Sequence, residues 1–196
     1  MEEVESEIRL FFPHLCFTPI WIVTKGDRDK TTSLRHLEKT NFFTGEIDER
    51  QLQGEFRLSI HSAKDLPDPL HAELEIIALT RGVDSSDALV VRSFPLPHGA
   101  RIGASSLRRE TFLKTWRPDF ECVDIRGTID ERLQLLGDGS LDGVVMAEAA
   151  LIRLGLTDRP RLHLDIPVAP LQGRLAVIAR KNDVEMKQIF QTIHFP

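Results

Sequence analysis

The chain has 196 residues, enough for one large domain or two small ones, each with a core of its own. Its composition is that of a globular protein in water, 41% hydrophobic and 28% charged, without tyrosine. A formal net charge of −5 argues against a general nucleic-acid binder, which carries a basic excess.

No apolar run approaches the length of a membrane span, so no membrane partner is expected. The start Met-Glu-Glu-Val-Glu-Ser-Glu is acidic where a signal peptide is basic and then apolar. Cys16 and Cys122 lack CxxC spacing and sit in apolar, strand-like surroundings, which reads as buried thiols in a reducing compartment. The expected location is cytoplasmic. The histidines are scattered, and no metal site is expected. Oligomeric state is left open.

In chain order, residues 1–12 read as an amphipathic helix with Val4, Ile8, Phe11 and Phe12 on its apolar side, stopping before Pro13. Leu15 to Thr24 is strand-like, and the charged segment from Lys25 to Thr40 reads as a loop. Glu46 to Leu52 predicts a short helix ending near Gly54. Phe56 to Ile60 alternates as a strand and runs into His61-Ser-Ala-Lys-Asp-Leu-Pro67, which Pro67 and Pro69 keep from becoming a helix. His61 is expected to cap the end of that strand. Leu74 to Leu79 is a further apolar strand.

From Asp87 onward the pattern repeats as strand, turn, helix. Ala88–Val91 and Ile102 mark strands, and Leu107 to Trp116 a helix stopped by Pro118. Cys122–Ile125 is a strand, followed by a turn at Gly127. Thr128-x-x-Glu131 is a capping box that opens a helix closed by Gly137 and Gly139. Gly143–Ala147 is a buried strand leading to a helix through Leu154, capped by Gly155. Pro167 to Gly173 is a connector, and Leu175–Ala179 the last strand. This alternation predicts an α/β fold with mostly parallel sheets.

The segment Arg101-Ile-Gly-Ala-Ser-Ser-Leu-Arg-Arg109 carries the strongest chemical signal. Free N–H groups at a helix start, the hydroxyls of Ser105 and Ser106, and two adjacent guanidiniums suit carboxylates or phosphates. Arginines side by side on a first turn also read as a solvated face. Seven arginines nevertheless fall between residues 101 and 153, at 101, 108, 109, 117, 126, 132 and 153.

Four turns that follow predicted strands share this polar character, where an open α/β sheet places ligands. They are Ser62-Ala-Lys64-Asp65, Ser105-Ser106-Leu-Arg108-Arg109, Arg126-Gly127-Thr128 with Arg132, and Arg153 beyond Ala147. Five arginines and a lysine against one carboxylate suit a ligand with several carboxylates and one cationic or N–H centre. Taken alone, Arg132 also reads as a surface charge and Asp65 as a turn residue before Pro67.

Three blocks resemble porphobilinogen deaminase (hydroxymethylbilane synthase): His61-Ser-Ala-Lys-Asp-Leu-Pro67, Gly103-Ala-Ser-Ser-Leu-Arg-Arg109 and Asp124-Ile-Arg-Gly-Thr-Ile-Asp-Glu-Arg-Leu133. So do Leu141-Asp-Gly-Val-Val-Met-Ala-Glu-Ala-Ala-Leu-Ile-Arg-Leu-Gly-Leu156 and Gln172-Gly173, all in the family's order. The resemblance implies a transferase of tetrapyrrole, porphyrin and heme biosynthesis. Such an enzyme links porphobilinogen units head to tail into hydroxymethylbilane and releases ammonia.

It also implies two periplasmic-binding-protein-like lobes with a cleft between them. The first would be residues 1–82 with 174–196, and the second residues 83–173. Asp65 matches the catalytic aspartate. Ser62, Lys64, Ser105, Ser106, Arg108, Arg109, Arg126, Gly127, Arg132, Arg153 and Gln172 match substrate- or cofactor-binding positions. The cofactor implied is dipyrromethane. A non-catalytic binder of a polycarboxylate or pyrrole ligand is the alternative.

The chain also departs from the family pattern. The family has a strand and an Arg-Ser turn ahead of the segment matched here, so the first sheet is expected to lack a central strand. Its third domain, bearing the cysteine that tethers dipyrromethane, is expected to be absent, and neither Cys16 nor Cys122 stands at a matching position. Glu38-Lys39-Thr40-Asn41 replaces a glycine-rich loop and lysine. Ala104 and Arg174 replace a threonine-like and an alanine-like residue.

Overall fold

The structure is a computed structural model that describes residues 1–35, 37 and 39–196. Glu38, the first residue of the Glu38–Asn41 replacement, lies outside the described residues. The elements begin with α1 (Glu2–Arg9), α2 (Lys25–Arg28), α3 (Gly45–Leu52), β1 (Leu58–Ser62), β2 (Leu74–Leu79), β3 (Asp87–Val91) and β4 (Arg101–Gly103). There follow α4 (Leu107–Trp116), β5 (Glu121–Val123), α5 (Ile129–Gly137), β6 (Gly143–Ala147), α6 (Glu148–Arg153), β7 (Arg161–Leu164), β8 (Leu175–Arg180) and α7 (Val184–Phe190).

The chain divides into two compact units. Unit 1 comprises Met1–Arg28, Lys39–Gly82 and Arg174–Pro196; unit 2 comprises Asp29–Glu38 and Val83–Gly173. The described residues of the segment 29–37 therefore pack with unit 2, not with the first lobe to which the sequence reading gave them. The reason is visible in three polar bonds that these residues make to the rest of unit 2. Arg126 Nη2 donates to the Asp29 carbonyl, Lys30 pairs with Glu131, and Arg35 pairs with Glu110.

Unit 1 is built on a three-stranded sheet in the order β1-β8-β2, with β8 antiparallel to both neighbours. Residues 175–179 of β8 are all buried because the strand is central. Val4 and Ile8 of α1, one helical turn apart, are 1% and 0% exposed and join Val177, Ala179 and Phe190 in the core. Phe11, expected on that apolar face, is 55% exposed, since α1 ends at Arg9.

Residues 15–24 form no strand, contrary to their β-forming composition. A strand needs a neighbour for its main chain, and none pairs with this segment. Instead the segment borders a cavity of about 560 Å³ whose other wall includes Leu58, Ile60, Met186 and Phe190. β1 is an edge of its sheet. Ala63 N donates to the Arg174 carbonyl, so by alternation the main-chain groups of Leu58, Ile60 and Ser62 point away from β8.

Unit 2 carries a five-stranded sheet, β5-β4-β6-β3-β7. β4 is parallel to β5 and β6, while β3 is antiparallel to β6 and β7. Pairing is thus mixed, where strand–helix alternation predicted mostly parallel sheets. Only β4-α4-β5-α5-β6 has the helical crossovers that parallel neighbours require. β3 and β8 each follow a passage from one unit to the other and run against their neighbours. Leu89 and Val145 pack on one face of this sheet, and Val90, Val144 and Met146 on the other. The sequence reading also missed β7, which opens on a charged residue.

Candidate functional site

In unit 2 the turns after β4 and β5 and the strand β6 leading into α6 carry the candidate binding residues, at the carboxyl ends of the parallel strands. The β5–α5 turn is fixed by the expected capping box. Glu131 Oε2 accepts from Thr128 N at 2.6 Å, and Glu131 N donates to Thr128 Oγ1 at 3.3 Å. Gly127 takes φ +105°, and a Cβ there would stand 2.5 Å from Glu131 Oε2. The turn therefore needs glycine.

Arg132, one turn into α5, donates from Nε to the Gly127 carbonyl and from Nη1 to Ser105 Oγ at 3.0 Å. That second bond ties the start of α5 to the β4–α4 turn and brings two candidate residues together. Ser105 is 8% exposed, and Ser106 occupies the N-cap position of α4 without a side-chain capping bond. Arg153, at the end of α6, donates from Nη2 to the Gly173 carbonyl at 2.7 Å, beside Gln172.

Arg108 and Arg109 converge on Asp87, the first residue of β3. Arg108 Nη2 reaches Asp87 Oδ2 and Arg109 Nη2 reaches Oδ1, both at 2.6 Å. Gln172 Nε2 adds a third donor to Oδ1 at 3.0 Å. Asp87 is wholly buried. Burial alone would raise its carboxyl, but Arg109 and Arg108 outweigh that and hold it below the ordinary carboxylate value. Arg109 spends its remaining terminal nitrogen on the Val145 carbonyl, and its buried Nε has no hydrogen-bond partner.

Sequence reasoning did not count Asp87 among the site residues, although one acid opening an otherwise apolar Asp-Ala-Leu-Val-Val strand was a signal. Nor did it name Arg35, which lies against the Ala104 carbonyl, Glu110 and Asp124.

In unit 1, Ser62 ends β1 and Ala63–Asp65 form a 3₁₀ turn, with Leu66 after it extended toward Pro67. Lys64 is half-buried and Asp65 exposed. His61 does not cap its strand. It lies within β1, its buried Nε2 has no hydrogen-bond partner, and desolvation pushes the ring down to about 4. The thiol of Cys122 is pushed up by burial and by Glu110, whereas Cys16 is exposed.

Among the described residues no group of three or more His, Cys, Asp or Glu is placed to hold a metal ion, and no helix is long and apolar enough to cross a membrane.

The family model for porphobilinogen deaminase, dipyromethane cofactor binding domain, matches residues 1–188. The chain belongs to the porphobilinogen deaminase family of enzymes. A probable porphobilinogen deaminase of Chlamydia trachomatis is 40% identical over 194 residues, covering 97% of this chain and 80% of that protein. The porphobilinogen deaminase of Fusobacterium nucleatum is 39% identical over 199 residues, covering 97% of this chain and 67% of its own length.

Among solved structures, a periplasmic substrate-binding protein of an ABC transporter from Coxiella burnetii superposes with a TM-score of 0.58 at 16% identity. The match covers all of this chain and 87% of that one. The VFT2 domain of Bordetella pertussis BvgS gives a TM-score of 0.55 at 14% identity, covering 98% and 76%. These likenesses concern the fold alone: the deaminase-family chain has the two-lobed, binding-protein-like α/β architecture.

The donors of unit 2 fit the family's cofactor in kind. Guanidiniums and a serine hydroxyl suit a group rich in carboxylates.

Proposed function

We propose that this chain acts on porphobilinogen, joining units head to tail toward hydroxymethylbilane with release of ammonia. The observation that carries the reading is the set of guanidiniums at the strand ends of unit 2, in a chain of the deaminase family. Porphobilinogen bears an acetate, a propionate, an aminomethyl group and a pyrrole N–H. Arginine meets carboxylates with directed, charge-assisted bonds, which fix orientation as well as position.

In this reading Arg108, Arg126, Arg132 and Arg153 hold carboxylates, with Ser105, Ser106 and Gly127 shaping the turns that aim them. Arg109 and Gln172 brace that set, and Ser62 and Lys64 flank the catalytic carboxylate. The same donors would hold the carboxylates of a dipyrromethane, which when bound supplies the free pyrrole carbon on which the chain grows.

Asp65 is the proton-handling residue. The aminomethyl nitrogen, protonated as an ammonium, leaves as ammonia with the electron pair of the broken C–N bond. The pyrrole that remains is a cationic azafulvene, which a carboxylate stabilises while accepting from its N–H. The free α-carbon of the acceptor pyrrole then attacks the azafulvene methylene to form the new C–C bond, and its proton passes to the Asp65 carboxylate.

The test is porphobilinogen consumption and ammonia release by the purified chain, with Asp65→Asn alongside. The variant should lose about a hundredfold or more in kcat, with its melting temperature unchanged because Asp65 is exposed. Turnover that survives Asp65→Asn would remove Asp65 from this role. Binding of porphobilinogen without any ammonia release would leave a binder and not an enzyme.

A further inference from the structure

We infer that Asp87 is a positioning residue for anion recognition, which holds Arg108 as the anion-facing guanidinium of the α4 turn and Arg109 as its internal strut. The inference rests on the reading that this turn binds carboxylates.

Successive residues on a helix point about 100° apart. Arg108 and Arg109 would therefore diverge if each followed its own direction into solvent. Both instead end on the two oxygens of one carboxylate, at 2.6 Å each. The carboxylate is immobile for reasons of its own. Asp87 belongs to β3, paired on both sides opposite Ala147 of β6 and Leu164 of β7, and its side chain is 0% exposed.

The two arginines are not equivalent. Arg109 is 6% exposed and turns its other terminal nitrogen inward to the Val145 carbonyl. Arg108 is 27% exposed, and its Nη1 is braced by the Pro167 carbonyl at 2.5 Å. Two cations against one anion leave a net charge of +1, and the partly exposed guanidinium presents it. Asp87 thus removes one positive charge from the turn and gives the other a fixed direction. For a bidentate contact direction decides more than total charge, since a misaligned guanidinium loses one of its two bonds.

This makes a claim opposite in sign to simple electrostatics. Asp87→Asn raises the net positive charge of the turn by one, so field strength alone predicts tighter binding of an acidic ligand. Positioning predicts weaker binding, by about tenfold.

The probe is porphobilinogen, titrated calorimetrically against the full chain, with thermal midpoints recorded in parallel. Arg108→Ala should weaken binding about tenfold in the parent chain, and by less than about twofold in the Asp87→Asn background, because contacts in one network do not add. Asp87→Asn strands a buried arginine and risks misfolding. The paired variant Asp87→Asn with Arg109→Gln removes that stranded charge, and it should still bind weakly because Arg108 has lost its anchor.

Binding as tight as the parent's in either variant overturns the inference. So does an undiminished Arg108→Ala effect in the Asp87→Asn background. Failure of the parent chain to bind porphobilinogen overturns the underlying reading together with the inference, which separates the two failures.

Discussion

Unit 2 keeps its decisive charges inside, with Asp87 and Glu148 at 0% and 2% exposure and each met by arginine. Unit 1 carries Asp65 exposed on a 3₁₀ turn, and its best-formed ion pair, Arg57–Asp183, leaves the arginine side chain 48% exposed. A buried pair costs desolvation on both partners and becomes costly when one is removed; a pair open to water loses little. The first arrangement suits fixed donors that orient a ligand. The second suits a group that must exchange protons. The sheets differ in the same direction. Four of the five strands of unit 2 flank a fully buried β3 or its neighbour β6, whereas β1, which leads to Asp65, is an edge strand beside a cavity of about 560 Å³.

The strongest challenge to this contrast is Glu148→Gln. Glu148 takes Arg161 Nε and Nη2 at 2.8–3.0 Å, and the substitution leaves that guanidinium without its charge partner. A loss of about 3 kcal/mol in urea unfolding is expected. A loss below about 1 kcal/mol would mean that unit 2 does not depend on its internal pairs. Gly173→Ala comes next, at about 2–3 kcal/mol. Gly173 has φ +85°, and a Cβ there would stand 2.1 Å from the Asp84 carbonyl oxygen. The clash is with main chain, so it cannot be relieved by a rotamer change. A thermal midpoint equal to the parent's would show that residues 84 and 173 separate easily.

The third test concerns unit 1 and pH. His61 is held near 4 by desolvation against an ordinary 6.5, so its neutral form is the one that fits the fold. Between those values the unfolded chain binds the extra proton, and stability therefore falls as pH drops below 6.5. At pH 5 the cost is about 2 kcal/mol. His61→Asn should flatten the pH dependence of urea unfolding between pH 7 and 5. An unchanged slope would put the acid sensitivity elsewhere.

Much of unit 2 was legible because local signals and tertiary structure agree there. Thr128 and Glu131 make the box their spacing announces, and Gly155 takes φ +65° just past α6. The arginine-rich turns were legible for the same reason, since each follows a strand whose apolar run marks its end. What sequence did not disclose was how those arginines are spent. That Arg108 and Arg109 share Asp87 depends on β3 lying between β6 and β7, a non-local fact that neither α4 nor β3 encodes alone. The failure at residues 15–24 has the same origin. Strand propensity is realised only beside a partner, and Ile20, Trp21 and Val23 stand 50%, 82% and 63% exposed without one.

The smallest expected effect belongs to Asp183→Asn, the counterpart in unit 1 of Glu148→Gln. Asp183 does two things. It caps α7 by accepting from Met186 N at 3.2 Å, and it accepts from Arg57 Nε and Nη2 at 2.9 and 2.5 Å. Asparagine caps a helix about as well as aspartate, so the first function survives. Arg57 keeps Glu185 at 2.8 Å and its contact with water, so no charge is stranded. The expected loss is about 0.5–1 kcal/mol, shrinking as salt is added. A loss equal to that of Glu148→Gln and insensitive to salt would mean that unit 1 also relies on buried charge, and the contrast between the units would fail.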